Sequence, residues 1–307
     1  MAMYICGHIN PDSDSIVGAL SLSYLKNKLG TDSIAARQGE LNPETKFILD
    51  KFDFKPPVLK TKFAGEDLFI VDYSDLAQAP KDIGEANLKG IVDHHKLGDI
   101  TTPAPLECCI RPVGCSNTVI KSLYDFHGID IPKDMASIML CAILSDTVIY
   151  KSPTCTQEDI KATQELAKIA EIKDIKALGM EMFLVKSAIE GASARELVTR
   201  DYKDFVMNGK KVGIGQLEVV DLKVFDGKRD MLLKDMKALK DEGERHSIII
   251  LLTDIMNEGS ELLAISDDEG IIENAFGIKL KDHKAWLPGV LSRKKQVVPF
   301  LEKAFKG

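Results

Sequence analysis

Short apolar runs alternate with longer amphipathic stretches through the first part of the chain. Met3–Cys6 reads as a strand, and from Asp14 to Leu29 (DSIVGALSLSYLKNKL) apolar residues recur at helical spacing until Gly30 supplies a stop. Ser33–Arg37 predicts a second strand, and Pro43 opens a helix through Phe52, at a position where proline fits the first turn. Asp67–Val71 and Lys89–Val92 read as buried strands, each followed by acidic or imidazole side chains. Further helices are expected over Ser116–Phe126, Pro132–Leu144, Gln157–Ala170 and Ile175–Lys186. Strands alternating with helices predict a parallel α/β sheet.

The texture changes at Ala188–Ala194 (AIEGASA), a small and polar stretch that reads as a linker. Beyond it, strands are expected at Phe205–Met207, Lys211–Val220, Ser247–Thr253 and Glu261–Ser266, with a helix at Lys228–Asp241. The expected organisation is a parallel-sheet domain over residues 1–187, a hinge at 188–194 and a smaller mixed-sheet α/β domain over 195–307. There is no internal repeat and no low-complexity segment.

Composition narrows the functional classes. With 307 residues the chain can bury a sizeable core in each of two domains. A net charge of −7 disfavours nucleic acid as a partner. No apolar run approaches the roughly 20 residues that span a bilayer. The N-terminal MAMYICGHINPDSD has no basic region ahead of an apolar one, so no secretory leader is expected. Six cysteines without zinc-ribbon spacing read as thiols of a reducing compartment, and the cytoplasm is the expected address. An acidic protein can still take a small anion if metals and a few cations are gathered locally.

The candidate chemistry lies where that requires it. GHINPDSDS, after the first strand, carries His8, Asp12 and Asp14 within seven residues; alone, it reads equally as a cap, by Ser13 or Asp14, for the helix that follows. Asp72 ends FIVD, Asp93-His94-His95 ends GIVD, and Asp146 follows the apolar run IMLCAIL. In open parallel sheets ligands bind beyond the carboxyl ends of the strands, and several strands each delivering Asp or His there exceed what capping needs. Asp and His without cysteine suit Mn²⁺, Co²⁺ or Mg²⁺ better than structural zinc. His8, Asp12, Asp14, Asp72, His94 and Asp146 are too many for one ion with an open position, but fit two ions sharing a carboxylate. Near the C-terminus, Ser292-Arg293-Lys294-Lys295 follows a turn at Trp286–Gly289. Such a run is commonly a solvated face, yet its apolar flanks argue for a held anion clamp.

These residues together resemble the DHH phosphoesterases and, within them, the family II (manganese-type) inorganic pyrophosphatases. GHINPDSDS, IVDYSD, VDHH and LSDT match the superfamily motifs in order and spacing, and SRKKQVVP with the DYKDF segment looks like the family's second domain. The resemblance implies hydrolysis of pyrophosphate by in-line attack of a metal-bridging water, with Mn²⁺ or Co²⁺, two per subunit, and Mg²⁺ accompanying the substrate. It assigns His8 and Asp12 to one ion, Asp14, His94 and Asp146 to the other, and Asp72 to both. Lys203, Arg293 and Lys294 would grip phosphate; His95 would contact substrate and help protonate the leaving group. A homodimer through the N-terminal domains is also implied. Tyr73 departs from the pattern, since many members carry histidine there. Sister phosphoesterases acting on longer substrates carry a glycine-rich motif absent here. The roughly twenty residues between Asp72 and Asp93 leave no room for a nucleotide-sensing insert.

Overall fold

In the first unit, strand-formers and amphipathic stretches alternate as β1 (Met3–Cys6), α1 (Ser13–Lys28), β2 (Ser33–Arg37), α2 (Pro43–Lys51), β3 (Val58–Leu59), β4 (Asp67–Val71), β5 (Asn87–Asp93) and β6 (Glu107–Ile110), followed by α3 (Ser116–His127), α4 (Lys133–Asp146), α5 (Gln157–Ala170) and α6 (Ile175–Lys186). The structure is a computed structural model that describes residues 2–189 and 191–306; Glu190, inside the expected linker, lies outside the described residues. Contacts divide the chain into units 1–182 and 183–307, a division that falls within α6.

The six strands form a wholly parallel sheet in the order β3-β2-β1-β4-β5-β6. The chain builds outward from β1 to β2 and β3, then returns to add β4 on the other side. That reversal puts a topological switch point between β1 and β4, where a crevice opens at the carboxyl edge. Val17 and Leu22 of α1, Val119 and Ile120 of α3 and Leu140 of α4 pack on one face of the sheet, against Ile5 and Val71. Cys6, Leu68, Ile70 and Ile91 face a second core with Phe63 and Tyr73. Every residue of α4 from Met135 to Ser145 is buried, so its sequence is apolar all round rather than along one stripe.

The second unit contains α7 (Ala194–Thr199), β7 (Tyr202–Met207), β8 (Lys210–Val219), α8 (Arg229–Glu242), β9 (Ser247–Asp254), β10 (Gly259–Ser266), α9 (Glu269–Phe276), β11 (Lys284–Pro288) and α10 (Val298–Ala304). Its sheet runs β11-β10-β9-β8-β7, with β8 and β9 parallel and the other pairs antiparallel. The helix α8 makes the crossover that a parallel pair needs. The central strand β9 (SIIILLTD) is buried along its whole length. The expected turn at Trp286–Gly289 is corrected: Trp286, Leu287 and Pro288 close β11, which pairs with β10.

Candidate metal centre

The loop from β1 to α1 folds back on itself because residue 7 is glycine. A Cβ there would stand 1.7 Å from Ser15 Oγ, the atom that accepts a hydrogen bond from His8 N at 3.0 Å. Asp12 is the N-cap of α1, and this corrects the expectation that Ser13 or Asp14 caps it. Its Oδ1 accepts from Ser15 N at 2.9 Å, while its Oδ2 lies 3.5 Å from His8 Nε2. Capping and metal-facing geometry thus coexist in one carboxylate. Ser13 Oγ instead donates to Glu44 Oε2 at 2.9 Å, and the buried Asp14 carboxylate accepts from the start of α3.

Asp72 directly follows β4 in the left-handed region, φ 69°, and its N–H donates to Val92 O at 2.9 Å. That backbone aims its carboxylate between two imidazoles. Asp72 Oδ2 lies 3.3 Å from His8 Nε2, and Oδ1 lies 3.4 Å from His94 Nε2. His94 Nδ1 is bonded to the carbonyl of Val113 at 3.1 Å, which makes Nδ1 the protonated nitrogen. Its Nε2 therefore faces carboxylates: Asp72, Asp146 Oδ2 at 3.5 Å and Asp14 Oδ2 at 3.9 Å. Asp146 is the last residue of α4, not part of a strand, and an acid there opposes the helix dipole unless a cation sits beside it. Val148, Ile149 and Tyr150 follow it, all left-handed, at φ 50°, 50° and 68°.

His95 is partly exposed and is turned by its neighbour. Asp93 Oδ1 accepts from His95 Nδ1 at 2.9 Å, and also from the main-chain N–H of His94 at 2.7 Å and of His95 at 3.0 Å. Asp93 thus holds the two histidines rather than pointing into the cluster. Burial would raise its pKa, but the His95 contacts outweigh this and hold it below the usual carboxylate range.

The donor set fits divalent metal ions. His8–Asp12–Asp72, Asp72–His94–His95 and Asp14–Cys115–Asp146 each bring their ligand atoms within 4.8 Å of one another. Separations of 3.3–3.9 Å between donors are long for hydrogen bonds, yet match the edges of a coordination shell with bonds of about 2.1 Å. Asp72 Oδ2 and His8 Nδ1 are buried without a hydrogen-bond partner. Buried polar atoms rarely stay unpaired, so the carboxylate oxygen in particular calls for a cation.

Arg293, Lys294 and Lys203 belong to the second unit. Ser292 Oγ accepts from Lys295 N, Gln296 Oε1 accepts from Leu291 N and Ser292 N, and Gln216 Oε1 accepts from Arg293 N at 3.1 Å. The backbone of the basic run is therefore held by side chains, with Arg293 and Lys294 partly buried and Lys295 exposed. Arg293 Nη2 donates to Asp201 Oδ1 at 2.8 Å, and Nη1 to the carbonyls of Asp201 and Ile214. This ties SRKKQ to the start of the DYKDF segment. Burial would raise the Asp201 pKa, but Arg293 and then Lys203 outweigh it and draw it down.

Comparison with known proteins places the chain in a family. Residues 2–143 match the DHH family N-terminal domain and residues 180–304 the DHHA2 domain. Relatives named as manganese-dependent inorganic pyrophosphatases include one from Methanocaldococcus jannaschii, 42% identical over 99% of this chain and 99% of its own. Another, from Methanothrix thermoacetophila, is 41% identical over 99% and 98%. A crystal structure described as a family II inorganic pyrophosphatase from Methanococcus jannaschii superposes with a TM-score of 0.91 at 40% identity, covering 99% of this chain and 100% of that one. Two joined domains with a carboxylate–histidine cluster at the sheet edge define a phosphoesterase of the DHH type. The chain belongs to the family of manganese-dependent inorganic pyrophosphatases.

Proposed function

We propose that this inorganic pyrophosphatase cleaves its substrate by in-line attack of water at a pair of divalent ions held by His8, Asp12, Asp14, Asp72, His94 and Asp146. The observation that carries the reading is Asp72, whose two oxygens each face a different histidine, as a carboxylate shared by two ions requires. His8 and Asp12 hold one ion, and Asp14, His94 and Asp146 the other. Mn²⁺ or Co²⁺ is favoured by the mixed nitrogen and oxygen donors, with Mg²⁺ accompanying the substrate. Bound ions supply Lewis acidity and a water whose proton is lost near neutral pH.

The chain's own groups do the rest. Asp93 fixes the His95 ring, so that His95 can contact the substrate and pass a proton to the leaving phosphate. Arg293, Lys294 and Lys203 bind phosphate oxygens, with Asp201 setting the Arg293 fork in advance. A cytoplasmic homodimer completes the reading, with no nucleic-acid partner. No described helix is long and apolar enough to cross a membrane.

The test is phosphate release by the metal-stripped protein with Mn²⁺, Co²⁺, Mg²⁺ or Zn²⁺ restored, using pyrophosphate, a polyphosphate and a cyclic dinucleotide. Rapid pyrophosphate cleavage restored best by Mn²⁺ or Co²⁺ is expected. Turnover of a longer substrate without pyrophosphate cleavage would overturn the reading.

A further inference from the structure

Asp14 is held differently from the other proposed ligands, because the first turn of α3 grips it. Its Oδ1 accepts from Asn117 Nδ2 at 2.7 Å, Asn117 N at 3.0 Å and Cys115 Sγ at 2.8 Å. Its Oδ2 accepts from Ser116 N at 2.7 Å and is the oxygen nearer His94 Nε2. Oδ1 thus takes three donors, while Oδ2 takes one and is turned toward the cluster. Two of these donors are main-chain groups that any residue supplies. The Asn117 amide is not: it is fully buried and fixed at both ends. Its Nδ2 also donates to Asp14 O at 3.2 Å, and its Oδ1 accepts from Ser21 Oγ at 3.0 Å. That second bond orients the amide with its NH₂ toward the carboxylate.

The same segment touches the neighbouring ligands. Ser116 Oγ donates to Asp72 Oδ1 at 3.1 Å, and the Val113 carbonyl orients His94. The segment is pinned from α5, where Asp159 accepts from Gly114 N at 2.9 Å and Thr118 Oγ1 at 2.6 Å. His8 and Asp12, by contrast, have no bond from this turn among the hydrogen bonds described. Loss of the Asn117 amide should therefore loosen one metal position and spare the other. Partners that orient metal ligands commonly change affinity by about 10- to 100-fold when removed.

We propose that Asn117 is a positioning residue: it presents one oxygen of Asp14 and so sets the affinity of the Asp14–His94–Asp146 position, independently of the His8–Asp12 position. This rests on the metal-centre reading above. Removing the amide leaves the buried Asp14 Oδ1 short of a charge-assisted bond, so the carboxylate reorients and offers its coordinating oxygen less often.

The test is titration of the metal-stripped protein with Mn²⁺, reading free ion by electron paramagnetic resonance and heat by calorimetry. Asn117→Ala, Ser21→Ala and His8→Gln are compared with the unaltered chain. The unaltered chain is expected to show two sites. Asn117→Ala should weaken one of them by about tenfold or more, and it should be the site that survives in His8→Gln. Ser21→Ala, which only frees the far end of the amide, should weaken the same site by less. If Asn117→Ala does not fold, as judged by its melting temperature without metal, Ser21→Ala decides alone. Equal weakening of both sites, no weakening, or loss of the site that His8→Gln removes would overturn the proposal. An unaltered chain that takes up no Mn²⁺ would instead remove the metal-centre reading itself.

Discussion

Asp12 divides its work between two oxygens, one capping α1 and one facing His8. The two contributions separate on substitution, because asparagine caps as well as aspartate but brings no charge. In unfolding above the His8 pKa of about 9, where that imidazole is neutral, Asp12→Asn is expected to leave the free energy within about 0.5 kcal/mol, while pyrophosphate hydrolysis at limiting Mn²⁺ falls at least about a hundredfold. Denaturant unfolding and phosphate release on the same preparation check both halves. Equal loss of stability and activity would mean that Asp12 acts through the helix alone. At this scale the candidate ligands were readable, since an Asp or His just past a strand, as at Asp72 and His94, has few other reasons to be there. What holds those ligands was not. The N–H groups that grip Asp14 and Asp93 belong to every residue, and the carbonyl of Val113 leaves no mark in the sequence.

Among the elements, α5 contributes to the centre without containing a ligand. Thr156 and Asp159 form a capping box at its start, and Asp159 also accepts from Gly114 and Thr118. Thr156→Ala removes the cap and one constraint on Asp159. A loss of about 1–2 kcal/mol is expected in denaturant unfolding, together with weaker Mn²⁺ binding. An unchanged midpoint would show that the box adds nothing to the fold. The long periodic helices and the buried strands β4 and β5 were legible because whole faces of them are apolar. The two-residue β3 and the half-exposed β6 carry too little pattern to stand out from loop. The start of β7 was placed late because its first residues are only partly buried, and β11 mixes charge and proline with its apolar positions.

The whole chain has two separately cored units, and the proposed ligands lie in the first. Without metal, burial alone would lower the His8 pKa, but Asp12 and Asp72 outweigh it and raise it from 6.5 to about 9. Asp14 is raised from 3.8 to about 7, by burial first and by the charge of Asp72 second. Both groups hold a proton more tightly folded than unfolded. The His8 contribution is complete below pH 6.5 and lost as pH rises through about 9; that of Asp14 is complete below pH 3.8 and lost through about 7. The metal-free first unit should therefore weaken with rising pH, and Mn²⁺, which replaces those protons, should restore more of it at about pH 8.5 than at about pH 6. Scanning calorimetry is expected to show two transitions, with only one raised by Mn²⁺ and more so at the higher pH. A metal shift that is independent of pH would contradict the proton linkage.

The left-handed run after Asp146 leaves a trace some thirty residues away. Ile149 projects against α6 at Gly179, where an added Cβ would come within 2.9 Å of Ile149 Cγ1. A glycine inside a helix ordinarily sacrifices about 0.5–1 kcal/mol relative to alanine and looks like a flaw open to repair. Here the repair is blocked by a bulky neighbour whose own backbone angle bends the chain beside a metal-facing acid. The two positions are therefore coupled: residue 179 can gain a methyl group only where residue 149 gives up the γ-carbon that stands against it.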